Sequence, residues 1–178
     1  ALYRRMLEVC RRTRGEAADL TLLAMNGLAA ILGRLNKLDE AATLQRRILD
    51  IRRRTKGPED RQTVVAMHNH ALALMNLGRL KEAEPLLQEV VQAEIKNHPD
   101  HPSTLNSMMN YRSLLGQLGR DEEAAAWARR SMEAHLRVLK FQHPRTQQAI
   151  LLVTQRTGDS KKDEEALRIT DRMLEQGR

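Results

Sequence analysis

The sequence predicts an all-α fold, a solenoid of stacked helical hairpins with about nine antiparallel helices. Three observations carry that prediction. The 178 residues are rich in Leu, Ala, Glu, Arg and Gln and hold only five prolines and nine glycines, a composition of helix formers with few breakers. Two markers recur in register along the chain. Ala41, Ala83, Ala124 and Ala166 are separated by 42, 41 and 42 residues, and Thr21, Thr63, Thr104 and Thr146 by the same intervals. Between the markers, apolar residues recur at helical spacing, as in Val64, Met67, Ala71 and Leu74. A fixed period of this length means one supersecondary unit repeated along the chain, each unit burying its apolar face against its neighbours.

Each unit reads as two helices. The first begins near the marker threonine, after a loop that holds His101-Pro102 or His143-Pro144 in two units and Gly57-Pro58 in another. Proline stops the preceding helix there, and Ser103 and Thr104 are the expected caps. The hairpin turn follows at Leu77-Gly78-Arg79 and Leu118-Gly119-Arg120, with Leu35-Asn36-Lys37 in the same register. Gly78 and Gly119 stand where a positive φ is expected. The second helix carries a stripe such as Ala83, Leu86, Leu87, Val90 and Val91. Pro85 falls early in its helix and removes one backbone donor. The expected helices span 1–13, 18–33, 37–55, 60–76, 80–97, 102–117, 121–139, 145–157 and 162–176. Residues 1–15 align with 43–57 at offset 42, so 1–16 reads as the second helix of a truncated repeat. The repeats then run 17–58, 59–100, 101–141 and 142–178, the last degenerate or serving as a cap. Leu2, Met6 and Val9 are expected to lack a hairpin partner, which leaves that helix able to self-associate.

Composition narrows the function. The single Cys10 excludes a disulfide framework and a multi-cysteine zinc site, and points to a reducing, cytoplasmic setting. No apolar run approaches the roughly 18 residues that a membrane span needs. Four aromatics (Tyr3, Tyr111, Trp127, Phe141) are too few for a base-stacking platform. The formal net charge of +7 is concentrated in residues 1–54, which hold 12 Lys/Arg against 6 Asp/Glu. That cluster reads first as a solvated helix face and second as a surface for an acidic partner or a phosphate backbone. His68 and His70 are two apart on a helix and face apart, so they make poor co-ligands. His98 and His101 flank a loop, and the repeat accounts for His101 because His143 recurs at its position. Cys10 has no evident base partner. No phosphate-cradling or nucleophile motif is present, and no cofactor is expected.

The pattern resembles tetratricopeptide repeats, in the 42-residue form found in kinesin light chains and in receptor-like proteins with nucleotide-binding domains. The residues that carry the likeness are His101-Pro102-Ser103-Thr104, Asn110, Leu118-Gly119-Arg120 and Glu123-Ala124, and in the preceding unit Asn69, Ala71 and Gly78-Arg79-Leu80-Lys81-Glu82-Ala83-Glu84-Pro85-Leu86. The family's aromatic positions are largely Leu and Met here, and its small helix-contact residue, Ala29 and Ala71 in two units, becomes Arg112 and Thr154 in the others.

The resemblance implies a right-handed superhelix whose first helices line a concave groove, at positions 2, 5, 6, 9, 12 and 13 past each marker threonine. Those are Leu23, Asn26, Gly27, Ala30, Gly33 and Arg34, then Val65, His68, Asn69, Leu72, Met75 and Asn76, then Asn106, Met109, Asn110, Ser113, Gly116 and Gln117, then Gln148, Leu151, Leu152, Gln155, Gly158 and Asp159. Asn and Gln amides both donate and accept, so they pair with a peptide main chain without reading its sequence. Met75, Met109, Leu72 and Val65 offer adaptable apolar pockets. Arg34 is the one cation among these positions, which speaks against a carboxylate clamp. The leading expectation is a non-catalytic protein-binding scaffold that holds an extended peptide or partner helix in this groove. A structural or self-association module of a larger protein is the alternative, and binding of nucleic acid or an anionic surface through the basic first third ranks last.

Overall fold

The computed structural model describes residues 2–139, 144–148 and 168. All regular structure in them is helical. Seven helices follow one another: α1 (Leu2–Arg14), α2 (Asp19–Arg34), α3 (Leu38–Lys56), α4 (Arg61–Asn76), α5 (Leu80–Asn97), α6 (Pro102–Gln117) and α7 (Asp121–Leu139). Each bound lies within one residue of its expected position. Residues 144–148 are helical as well, beginning one residue before the eighth expected helix. The ninth, and the rest of the eighth, lie outside the described residues. The chain divides into two compact units, Ala1–Ala93 and Glu94–Arg178.

In the first unit α1 packs on α2, α2 on α3 and α3 on α4. Its core is a continuous cluster containing Leu7, Leu22, Met25, Ile48, Leu49, Ile51, Val64, Met67 and Val90. In the second, α6 packs on α7. There Tyr111 and Trp127 meet edge to face with centroids 5.2 Å apart, and Arg130 lies 5.0 Å from the Trp127 ring centre. One apolar formula serves all three first helices. Leu22, Met25, Ala29 and Leu32 in α2 correspond to Val64, Met67, Ala71 and Leu74 in α4, and all eight are buried. In α6 the series is Leu105, Met108, Arg112 and Leu115, with Arg112 half-buried where the others have alanine. Full burial of one such Leu or Met contributes about 1.5–3 kcal/mol.

Both repeat markers are core residues. Ala41, Ala83 and Ala124 are buried at the start of the second helices. Thr21, Thr63 and Thr104 are wholly buried at the start of the first helices. The Thr21 hydroxyl donates to the Gly15 carbonyl at 2.7 Å. The Thr104 hydroxyl lies 2.5 Å from the His98 carbonyl, the same six residues back, and 3.0 Å from the Glu94 carboxylate. Thr21 and Thr104 therefore latch the end of one helix to the start of the next. The Thr63 hydroxyl has no partner among the described residues.

The hairpin turns share one geometry. Asn36, Gly78 and Gly119 have φ of 58°, 73° and 75°. The next residue's N–H reaches back to close the helix, Lys37 to Leu32, Arg79 to Leu74 and Arg120 to Leu115, at 2.8–2.9 Å. This six-to-one bond with a left-handed residue before it is the Schellman ending, which satisfies the last helical carbonyls. An ion pair clips each turn: Lys37–Glu40 at 3.1 Å, Arg79–Glu82 at 2.6 Å and Arg120–Glu123 at 2.5 Å.

The helix starts correct one expectation. The cap of α6 is His101, whose ring nitrogen accepts from the Ser103 N–H at 3.1 Å, with Pro102 at the first helical position. Asp60 caps α4, accepting from the Gln62 N–H at 2.9 Å. Ser103 and Thr104 are already inside the helix. Their hydroxyls turn instead to Glu94, Ser103 Oγ donating to it at 2.5 Å. Proline explains the shift: it lacks an N–H and fits the first helical position, which places the cap one residue before it.

Candidate functional site

Within the first unit, residues of α2, α3 and α4 line a cleft of about 620 Å³. Its walls are Leu20, Leu22 and Leu23 from α2, and Val65 and Ala66 from α4. Asn26 of α2 and Asn69 of α4 also line it, as do Ile48 and Arg52 of α3 and, from the first turns of α2 and α4, Asp19, Arg61 and Gln62. Leu23 and Val65 stand 61% and 46% exposed, although each is a large apolar side chain on a well-packed helix. Helical spacing accounts for this, because Leu22 and Val64 one residue earlier are buried and turn the next residue outward.

The polar groups of the cleft are set by neighbouring helices. Gln45, buried on α3, donates from Nε2 to the Asn26 Oδ1 at 2.8 Å. That fixes the amide plane and leaves the Asn26 NH₂ group without a partner among the described residues. Arg52 reaches from α3 to Asp19 at 2.8 Å, its own side chain largely buried and the carboxylate exposed. The cleft thus brings apolar side chains, amides and charged groups into one concavity, the composition expected of a ligand site.

Of the expected groove positions, Leu23, Asn26, Val65 and Asn69 line this cleft. Arg34, His68, Leu72, Met75 and Asn76 do not. His68, Leu72 and Met75 are half-buried further along α4, while Arg34 and Asn76 are exposed at the ends of their helices. In the second unit Asn106 and Gln117 are exposed on α6, and Met109, Asn110 and Ser113 are half-buried. The Arg145 guanidinium donates to Asn106 at 3.0 Å, and Gln117 donates to Ser113 at 3.4 Å. Gln148 is exposed, and the remaining fourth-repeat positions lie outside the described residues. Gly27 departs from expectation. A Cβ there would sit 2.3 Å from the Tyr3 ring, so this step is covered by a side chain from α1.

The histidines resolve into structural roles. His101 is the α6 cap, and His70 is buried. Burial, reinforced by the Arg46 charge, pushes the His70 imidazole below its ordinary value. No group of three His, Cys, Asp or Glu residues that could hold a metal occurs among the described residues. The arginine-rich first third is largely paired: Arg4 with Glu40, Arg11 and Arg47 with Glu16, Arg46 with Asp50, Arg52 with Asp19 and Arg53 with Glu89. The Arg47 hydrogen bond holds the Glu16 carboxyl below the usual carboxylate range.

Two family models, both described as tetratricopeptide repeat, match residues 21–61 and 62–137 and together span about two thirds of the sequence without a gap. The chain belongs to the tetratricopeptide repeat family. No curated protein matches it in sequence. Among solved structures it is similar to the nearly identical TPR-like repeats described as a kinesin light chain of Podosopora anserina, at 20% identity and a TM-score of 0.80, covering 97% of this chain and 82% of that one. A point variant of the same array gives 21% and 0.81 over the same coverage. BtubC (BKLC) of P. vanneervenii matches at 19% identity with a TM-score of 0.78, over 97% of this chain and 70% of that one. These likenesses are likenesses of fold, and they place the tetratricopeptide hairpins in the α-solenoid class. Repeats of this family serve in general as protein-interaction scaffolds. Among the described residues no helix is long and apolar enough to cross a membrane.

Proposed function

We propose that this tetratricopeptide array is a non-catalytic scaffold that holds a protein partner, as an extended peptide or a helix, in the α2/α4 cleft. The observation that carries the reading is the pair of exposed apolar side chains, Leu23 and Val65, beside two amides in a cleft of about 620 Å³. An apolar side chain of the partner fills the wall, and the Asn26 NH₂ and the Asn69 amide meet its main chain, so affinity comes from burial and register from hydrogen bonds. Within the second unit, Asn106 and Asn110 carry amides at the corresponding steps of α6. A single half-buried Cys10 with no disulfide suits a cytoplasmic setting.

The test is titration of the chain with a peptide selected against it from a random library. Val65→Asp should reduce affinity by about tenfold or more, and Asn69→Ala by about two- to tenfold. Both positions face the cleft and neither is a core residue, so both variants stay folded. Selected peptides whose affinity neither substitution changes would sink the reading.

A further inference from the structure

A second concavity, of about 880 Å³, is lined by residues of α1, α2 and α3 and shares none of them with the α2/α4 cleft. Its apolar lining is Leu7, Leu28, Leu32 and Leu44. The chain itself shows what else this step can hold. Two repeats on, the positions of Leu28 and Leu44 are taken by Tyr111 and Trp127. Those rings meet edge to face at 5.2 Å, and the Arg130 guanidinium lies 5.0 Å from the Trp127 ring centre. In the first hairpin two leucines stand there and the concavity is open. The charges differ as well. Arg53 of α3 reaches Glu89 of α5 at 3.8 Å, but one repeat earlier the same two positions are Arg11 and Arg47, and both cations turn to Glu16. Of the three arginines lining the concavity, Arg4 is held by Glu40 at 2.9 Å and Arg11 by Glu16 at 3.6 Å. Arg12 is exposed and makes no ion pair among the described residues.

We infer that this concavity is a binding site for a small aromatic monocarboxylate. The ring system of the ligand packs on Leu28 and Leu44, where Tyr111 and Trp127 supply the rings two repeats on. Its carboxylate pairs with Arg12, whose planar guanidinium matches a carboxylate in two parallel hydrogen bonds. The volume lies within the range of small-molecule sites, and a leucine lining with one free cation gives both burial and orientation. The Arg4 and Arg11 guanidiniums suit the negative face of a ring, as Arg130 suits Trp127. Glu8 and Asp39 also line the site and are exposed. They repel a second negative charge, which restricts the ligand to a single carboxylate.

The probe is 2-naphthylacetate, titrated into the whole chain and followed by proton–nitrogen correlation spectra. Saturable shifts of the Leu28, Thr43 and Leu44 amides are expected. Arg12→Glu should weaken binding about two- to fivefold, and Glu8→Gln should strengthen it about twofold. Leu28→Tyr with Leu44→Trp rebuilds the ring pair of the second unit inside the concavity. That double variant should weaken binding by about tenfold or more and raise the unfolding temperature. Arg12 is exposed, so its variant keeps the fold and carries the test alone if the double variant does not fold. Val65→Asp in the α2/α4 cleft should leave binding unchanged, which separates this site from the proposed function. No saturable shift by about 5 mM, shifts centred on Asn26 and Val65, or binding that ignores Arg12→Glu overturns the inference. So does neutral N-acetyltryptophanamide binding as tightly as the naphthylacetate, because the occupant would then be an uncharged ring on a partner polypeptide.

Discussion

The marker threonines make an internally controlled experiment, because one buried position has three different hydrogen-bonding states. Threonine to valine keeps the shape and removes only the hydroxyl. Thr21→Val breaks the 2.7 Å bond to the Gly15 carbonyl. One such bond is worth about 0.5–1.5 kcal/mol, so a loss near 1 kcal/mol is expected. Thr104→Val removes a hydroxyl lying between the His98 carbonyl and the buried Glu94 carboxylate. Bonds to charged groups are worth about 1.5–3 kcal/mol, and Glu94 keeps Ser103 as its donor, so a loss of about 1.5–2.5 kcal/mol follows. Thr63→Val breaks nothing and takes an unpartnered hydroxyl out of the core, so stability should stay level or rise by up to about 1 kcal/mol. Urea unfolding checks the order through the midpoint, with the slope held constant as the sign that only stability has changed. If Thr63→Val costs as much as Thr21→Val, the latch is not why threonine stands at this step, and the reasoning fails.

Three further outcomes follow from the turns and from burial. Gly78→Ala forces a Cβ into the left-handed region and should cost about 1–2 kcal/mol in the same unfolding assay, while Asn36→Gly should gain a few tenths. His70 is held below its ordinary value chiefly by burial, among Arg46 and Asp50 of α3 and Arg79 and Glu82 beside the α4–α5 turn. The unfolded chain then binds the proton first. Stability therefore falls as pH drops below about 6.5 and levels off once pH passes the folded value. Thermal melts between pH 7.5 and 5 should show that slope in the native chain and a smaller one in His70→Leu, the residue that Leu28 supplies at the same step of the preceding hairpin. Gly27→Ala should displace the Tyr3 ring, seen as stronger acrylamide quenching of tyrosine, with little change in the unfolding midpoint because Tyr3 sits near the end of α1.

The fold was legible because its signals are local and repeated. Helix bounds followed from the period of the apolar residues, and the turns from Gly78, Gly119 and Asn36, since each fixes a backbone angle by its own chemistry. The markers Thr and Ala recur at steps that are buried at the helix starts in each described hairpin. The caps were misread because sequence favours hydroxyls, while Pro102 moved the cap to His101. Four of the twelve residues lining the candidate cleft, Leu23, Asn26, Val65 and Asn69, were visible in the sequence. The contacts from α3, Gln45 orienting Asn26 and Arg52 holding Asp19, were not, because side chains that meet across helices leave no trace in the period. Tyr3 over Gly27 is of the same kind.

One step of the second helices, four times in register, holds Cys10, Arg52, Glu94 and His135. Arg52, Glu94 and His135 are buried, and each meets a different kind of partner: Arg52 the Asp19 carboxylate, Glu94 the Ser103 and Thr104 hydroxyls, and His135 the Ser131 carbonyl, to which its Nδ1 donates at 2.7 Å. The hairpins share a backbone but are not interchangeable parts. Arg52 and His135 meet partners inside their own repeats, whereas Glu94 meets Ser103 and Thr104 of the repeat that follows, so replacing that following repeat would change what faces a buried carboxylate. Serial order is thereby written into one boundary, where a buried carboxylate is matched to the hydroxyls of the helix that comes next.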